Sequence, residues 1–314
     1  MFRFATSGLL ALACRRHHGG VIVNGHTLTR GQMRSQLDVL GRWFDFIGLE
    51  ELPSRLARPT QRPFCLLTFD DGKRSNFTEI APELEARRVP AIFYVTTGPL
   101  TTGGCLWFDR HAQLIRKIGH CPEGLELARL KQLPFDAVIE QLDSAAEQYQ
   151  VAPENDAENA WLMSWDQVRD LARRGFSIGA HGVTHAILTN ETKARSFAEI
   201  EESIAVVSAE TGAPCRTFAF PNGNHTVVLA RHARRCGAAS VMTTDPMWVG
   251  GAAAPWRLPR IQLFGNFSPA RMQLKLALAA RPGILANPDG TGKRYCAAPC
   301  NRERGESELV CVDP

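Results

Sequence analysis

No apolar run in this 314-residue chain approaches the roughly 18 residues that cross a bilayer, so no transmembrane span is expected. Charge of one sign is also scarce. The 36 Lys and Arg against 32 Asp and Glu leave a net +4, and the arginines are scattered rather than clustered. A nucleic-acid binder needs a basic patch, so no nucleic-acid partner is expected. Paired cysteine spacing is missing as well: nine is an odd count, and Cys296, Cys300 and Cys311 lack the spacing of a structural zinc site. Cys65 and Cys215 lie in or beside apolar runs, where a reduced thiol acts as a small hydrophobe, which favours a reducing compartment. The short apolar stretch Ser7 to Cys14 is preceded only by Arg3 and followed at once by Arg15, Arg16, His17 and His18, the wrong charge order for export. The expected location is cytoplasmic, with a membrane-associated or exported form as the alternative.

What the chain does have is an ordinary globular composition, 44% hydrophobic and 22% charged, and a regular alternation of strand and helix patterns. The central stretch is Cys65 to Gly72, whose apolar run suits a strand buried on both faces and ends in Asp70 and Asp71. Val21 to Val23 reads as a first strand that turns at Asn24-Gly25-His26, and Gln36 to Phe44 as a returning helix. Asn76 to Arg88 is amphipathic and stops at Pro90, and Ala91 to Thr96 is the next strand. Ser164 N-caps a helix before the strand Phe176 to His181. A long helix then leads to Thr217 to Phe220, and further strands are expected at Ala239 to Thr243 and Leu258 to Leu263. This pattern implies an α/β fold with a parallel sheet closed, or nearly closed, into a (β/α) barrel. The expected division is an N-terminal segment over 1–18 and the barrel over 19–281, with a polar helical insertion over about 110–155. A Pro-, Gly- and charge-rich tail over 282–314 reads as disordered.

In a parallel barrel the C-terminal strand ends meet on one face, so Asp70, Asp71, His181 and the Pro221 loop should converge. An Asp-Asp-Gly alone fits a solvated turn. At the end of a buried strand, however, two adjacent carboxylates repel each other unless a cation sits beside them. His181 and His185 are four residues apart, roughly 6 Å on a helical turn against roughly 13 Å if extended, so a tight turn at Gly182 would let both reach one ion. Two imidazoles and a carboxylate leave coordination positions open, the pattern of a catalytic metal, and the second carboxylate is then available as general base. Arg216, on the next strand, is expected to pair bidentately with Asp70 and keep it ionised, the alternative being a surface ion pair.

Thr68-Phe69-Asp70-Asp71-Gly72, His181-x-x-x-His185 and Arg216-x-Phe218-Ala219-x-Pro221-x-Gly223, in this order, resemble the successive motifs of the polysaccharide deacetylase family, the NodB-type carbohydrate esterases. The similarity spans about Val21 to Leu263 and includes Pro90-Ala91-x-Phe93 and Trp165-Asp166. The resemblance implies a distorted (β/α) barrel that uses one divalent metal, zinc foremost with cobalt or nickel as alternatives, to remove N-acetyl or O-acetyl groups from an acetylated saccharide or polysaccharide precursor. It further implies Asp70 as base and Asp71, His181 and His185 as ligands. Arg216 would be the base's partner, and Pro221 and Gly223 would line the substrate groove. Alternatives within the same barrel are a small-amide hydrolase and a binding relative that has lost catalysis.

Two departures stand out. The family's last motif supplies a Leu-x-x-His, but the last strand here reads Leu258-Pro259-Arg260-Ile261-Gln262-Leu263. The preceding motif survives only as Asp245-Pro246-Met247-Trp248, in which Trp248 could be a sugar platform or a core aromatic. Arginine cannot give up a proton near neutral pH, so another group must protonate the leaving amine. His26, at the end of the first strand, is the candidate; His225, His111 and a metal-activated water are the alternatives.

Overall fold

The computed structural model describes residues 2–58, 62–151, 161–250 and 253–280. The strands are β1 (Gly20–Gly25), β2 (Asp45–Phe46), β3 (Phe64–Phe69), β4 (Ala91–Val95), β5 (Ser177–Ala180), β6 (Thr217–Ala219), β7 (Ser240–Met242) and β8 (Ile261–Gln262). They pair in parallel in the order β7-β6-β5-β4-β3-β1-β8, with β2 lying against the start of β3. The sheet curls until its ends meet. Leu258 bridges Met242 in parallel, and three residues later Ile261 pairs with Val23 of β1, so the segment before β8 draws the ring shut.

Period-2 alternation explains what fills this ring. Phe64 and Leu66 of β3, Ile92 and Tyr94 of β4, Ile22, Ala219, Met242 and Leu258 pack together inside the barrel. Their neighbours Cys65, Leu67, Phe69, Phe93 and Val95 join the larger core beneath the helices. Continuing the inward series of β3 gives Thr68 and then Asp70. The strand that fills the barrel thus delivers its first carboxylate to the interior. Cys65 and Cys215 are buried free thiols, and burial pushes the Cys215 thiol up to about 11.

The helices are α1 (Phe2–Arg16), α2 (Arg30–Trp43), α3 (Leu52–Ala57), α4 (Ala81–Ala86), α5 (Thr97–Thr102), α6 (Trp107–Ile118), α7 (Leu127–Leu130), α8 (Phe135–Gln148), α9 (Trp165–Arg173), α10 (Lys193–Thr211), α11 (Val227–Arg235) and α12 (Pro269–Ala279). Capping boxes at Thr29/Gln32 and Ser164/Gln167 start α2 and α9, and Gly212 ends α10 in the left-handed conformation. Over the span read as an insertion, α6, α7 and α8 pack around their own small core of Trp107, Leu114, Leu130, Val138 and Leu142. The N-terminal segment is the helix α1, docked along α12, where Thr6 and Ser7 donate to Gln273 at 3.1 and 3.0 Å. The expected tail lies outside the described residues, and no described helix is long and apolar enough to cross a membrane.

Trp248 corrects one expectation. It is buried beside α12, donates to the Leu276 carbonyl at 2.8 Å and packs against His17 and Phe44. Its hydrogen bond and ring contacts make it part of the core, out of reach of a sugar.

The β4–β5–β6 packing has no spare room. A Cβ on Gly179 would lie 2.4 Å from the Tyr94 ring and 2.8 Å from Thr217 Cγ2, where the Tyr94 and Thr217 hydroxyls share a 2.6 Å hydrogen bond. Gly179→Ala is expected to cost about 1–3 kcal/mol through overpacking, read as a lowered urea midpoint with an unchanged slope. An unaltered midpoint would mean that the barrel interior yields more easily than this packing allows.

Candidate active site

Asp70 and Asp71 occupy the turn that follows β3. Asp71 and Gly72 both take left-handed backbone, at φ 74° and 71°, which separates the two carboxylates into different surroundings. Asp70 is fully enclosed and gripped by Arg260: Nη1 donates to Oδ1 at 2.6 Å and Nη2 to Oδ2 at 2.8 Å. Arg260 is wholly buried. It also donates to Thr68 Oγ1 at 3.1 Å and, through Nε, to the Thr243 carbonyl at 2.9 Å. Burial opposes ionisation of Asp70, but the Arg260 guanidinium, then His181, outweighs it and holds the carboxyl below its usual range.

This overturns the expected role of Arg216. That residue precedes β6 and is exposed, and its carbonyl accepts from Ser240 N at 3.2 Å. A parallel barrel gathers its reactive groups at C-terminal strand ends, and Arg216 stands at the other end of its strand. The guanidinium comes instead from the strand that lacks the expected histidine.

Asp71 faces the two imidazoles. Its Oδ1 lies 3.6 Å from His181 Nε2 and 3.3 Å from His185 Nε2, and all three residues are buried. The His181 to His185 segment is an irregular turn rather than a helical one, with Gly182 at φ 77° and His185 at φ 62°. Glu199 of α10 holds that turn: its carboxylate accepts from Val183 N at 2.7 Å, Thr184 N at 3.0 Å and Thr184 Oγ1 at 2.7 Å. His181 Nδ1 lies 2.7 Å from the Ala219 carbonyl; as donor there, it leaves the Nε2 lone pair turned to Asp71.

Burial is the largest influence on each of these groups and opposes charge. For Asp71, His26 and the two ligand-type histidines overcome it and hold the carboxyl well below its usual range. His181 is raised because Asp70 and Asp71 outweigh burial, whereas burial prevails at His185 and lowers it.

The three donor atoms suit a metal. Asp71 Oδ1 is buried without a hydrogen-bond partner, and the carboxylate and imidazole nitrogens lie within 4.8 Å of one another. Bonds of about 2.0–2.1 Å in a tetrahedron place donors roughly 3.3 Å apart, close to the spacing seen.

A cavity of about 700 Å³ opens above these groups, and His26, Asp70, Asp71, His181, His185, Asn222 and Gly223 all line it. Gly223 has φ 79°, and a Cβ there would lie 1.8 Å from Thr244 Oγ1, so only glycine fits. Pro221 is buried and is not among the residues that line the cavity. His111 is buried in the insertion with Nε2 2.7 Å from the Leu125 carbonyl, and neither it nor His225 lines the cavity.

The sequence marks an insertion that begins near Trp107 but does not show that its first residues touch the His185 turn. Trp107 Nε1 donates to the His185 carbonyl at 3.2 Å, the Phe108 ring meets His185 edge-on at 4.9 Å, and Asp109 pairs with the buried Lys73. Burial raises the Asp109 carboxyl despite Lys73. Trp107-Phe108-Asp109 at the entry to a polar excursion was the available signal.

The sequence profile of the family described as "Polysaccharide deacetylase" matches residues 57–241. No curated protein sequence matches. Among solved structures, a Streptococcus pyogenes deacetylase, PplD in complex with acetate, is similar at TM-score 0.59 and 16% identity, covering 82% of this chain and 97% of that one. IcaB from Ammonifex degensii gives 0.56 and 19%, covering 83% and 99%. The BpsB deacetylase domain from Bordetella bronchiseptica gives 0.53 and 18%, covering 78% and 96%. At these identities the structures establish the shared fold.

The two arginines separate experimentally. Arg260→Gln leaves a buried carboxylate without its cation and is expected to cost about 3–5 kcal/mol of unfolding free energy, whereas exposed Arg216→Gln should stay within about 0.5 kcal/mol of the parent. Urea denaturation checks both, and similar losses at the two positions would refute the assignment of Arg260.

Proposed function

The chain belongs to the polysaccharide deacetylase family, hydrolases of carbon–nitrogen bonds in acetylated polysaccharide, and within it we propose a metal-dependent enzyme that removes N-acetyl groups from a saccharide or polysaccharide precursor. The observation that carries this reading is the pairing, on the floor of one cavity, of an Arg260-held carboxylate with a separate Asp-His-His cluster.

Asp71, His181 and His185 would hold the ion; their mixed carboxylate and imidazole donors favour zinc and also accept cobalt or nickel. Bound there, a divalent ion supplies Lewis-acid polarisation of the acetyl carbonyl and of water. Asp70, kept ionised by Arg260, takes a proton from the attacking water as oxygen adds to the carbonyl carbon. Both Asp70 oxygens are already engaged, so the carboxylate is fixed in orientation and needs no rearrangement to act. Expulsion of the amine requires a proton at nitrogen. His26 lines the cavity together with both carboxylates, and that placement supports it as the acid. The C–N bond then breaks to give acetate and an amino sugar. An acid at this position serves an amine leaving group more than an alkoxide, which favours N-acetyl over O-acetyl substrates.

Acetate release from a panel of N-acetylated glycans with added zinc, cobalt or nickel tests the reading. His181→Ala and His185→Ala should each lose both the bound metal and activity, while Asp70→Asn keeps the metal and loses about 10²- to 10⁴-fold in turnover. Metal analysis showing one ion per chain in both histidine variants would rule out the ligand set. Near-normal turnover in Asp70→Asn would remove that residue from the mechanism.

His26→Gln should depress the amide reaction far more than hydrolysis of an activated acetate ester, whose leaving group needs no proton. Equal losses on the two substrates, or none, would count against His26 as the acid.

A further inference from the structure

One wall of the cavity is α12 with the loop leading to it; the insertion, three strands away around the ring, forms another. Arg271, Leu274, Lys275 and Leu278 line the cavity, and their spacing of i, i+3, i+4 and i+7 is one helical face. Met272, Leu276 and Ala279 take the buried side of the same helix. The wall therefore sets cations and leucines side by side. Its loop adds Phe264, 44% exposed, and Phe267, whose ring centroid lies 4.2 Å from the Arg271 guanidinium carbon. Across the cavity, Leu127, 40% exposed, and Lys131 repeat the pairing at i, i+4.

Among the described residues lining the cavity, the only carboxylates are Asp70, engaged by Arg260, and Asp71, facing the two imidazoles. Among the described lining residues, the mouth thus combines Lys131, Arg271 and Lys275 with apolar side chains and adds no further acid. A neutral glycan chain offers hydroxyls, which do not match leucine and leave the charge of the cations unpaired. An anion with a hydrocarbon beside it matches both: charge-assisted hydrogen bonds to the cations, and apolar burial against the helix face.

Building on the deacetylase reading, we propose that the acetylated sugar is taken as a phosphodiester conjugate of a hydrocarbon chain, a lipid-linked sugar phosphate. The sugar sits over Asp70 and His185, the phosphate at Arg271 and Lys275, and the hydrocarbon along Leu274 and Leu278.

The test uses three conjugates of one N-acetylated hexosamine: the neutral methyl glycoside, its methyl phosphodiester and its octyl phosphodiester, the last kept below its micellar concentration. For the zinc-loaded full-length protein, kcat/KM should rise at least about tenfold from first to second. It should rise at least about tenfold again from second to third, since each buried methylene is worth about fourfold. Arg271→Gln combined with Lys275→Gln should bring the first ratio towards one, and Leu274→Ser combined with Leu278→Ser the second. Indifference to charge, or equal losses on all three conjugates in the Arg271/Lys275 double variant, overturns the proposal. A charge effect with no gain from the octyl chain overturns its lipid part. If none of the three releases acetate, the deacetylase reading itself has failed. Dissociation constants from calorimetry with the same conjugates still decide this inference, by the same ratios.

Discussion

A carboxylate buried in a barrel of hydrocarbon stays charged only if a cation is buried with it, and the Arg260–Asp70 pair meets that requirement with both terminal guanidinium nitrogens and both carboxylate oxygens. The desolvation of two ions is offset further because Nη1 and Nε also donate, to Thr68 and the Thr243 carbonyl. The same short segment closes the ring: Leu258 bridges β7, Ile261 pairs with β1, and Arg260 stands between them facing inward. Closure of the barrel and charging of Asp70 are therefore one structural event.

With Asp70 committed to Arg260, Asp71 is free to face the imidazoles, and the left-handed backbone at Asp71 and Gly72 makes that division. His185 and Asn222 share this unfavoured conformation, so three of the cavity's lining residues other than glycine sit in backbone that the surrounding contacts must enforce. At His185 Glu199 supplies part of that enforcement from α10, and the insertion adds to it through Trp107 and Phe108. The site thus depends on a long helix and an insertion as much as on the strands that carry its residues.

Much of this was legible in the sequence. Buried strands announce themselves by composition, and β3, β4 and β5 fall within a residue or two of their expected bounds. The carboxylate pair and the two histidines could be placed because strand ends converge. The arginine could not: Arg216 and Arg260 both sit beside apolar strand residues, and only the register shows that one begins a strand while the other reaches the interior of the barrel. Trp248 has the same ambiguity, since an aromatic near a strand end suits a platform or a core until its neighbours are known. The helix α12 was missed because its function lies in the side that is only half buried, where leucine and lysine alternate without a motif. The turn at His181 to His185 was read as helical because spacing alone cannot reveal two left-handed residues.

If Asp70 and Arg260 act as one unit, their contributions to turnover cannot be independent. Acetate release measured across the cycle of parent, Asp70→Asn, Arg260→Gln and the double variant, under conditions where all four remain folded and metal-loaded, addresses this directly. The account predicts that adding Arg260→Gln to Asp70→Asn lowers turnover by less than about threefold beyond Asp70→Asn alone, because the guanidinium has no charged base left to hold. Losses that multiply, each substitution exerting its full effect in the other's presence, would contradict it.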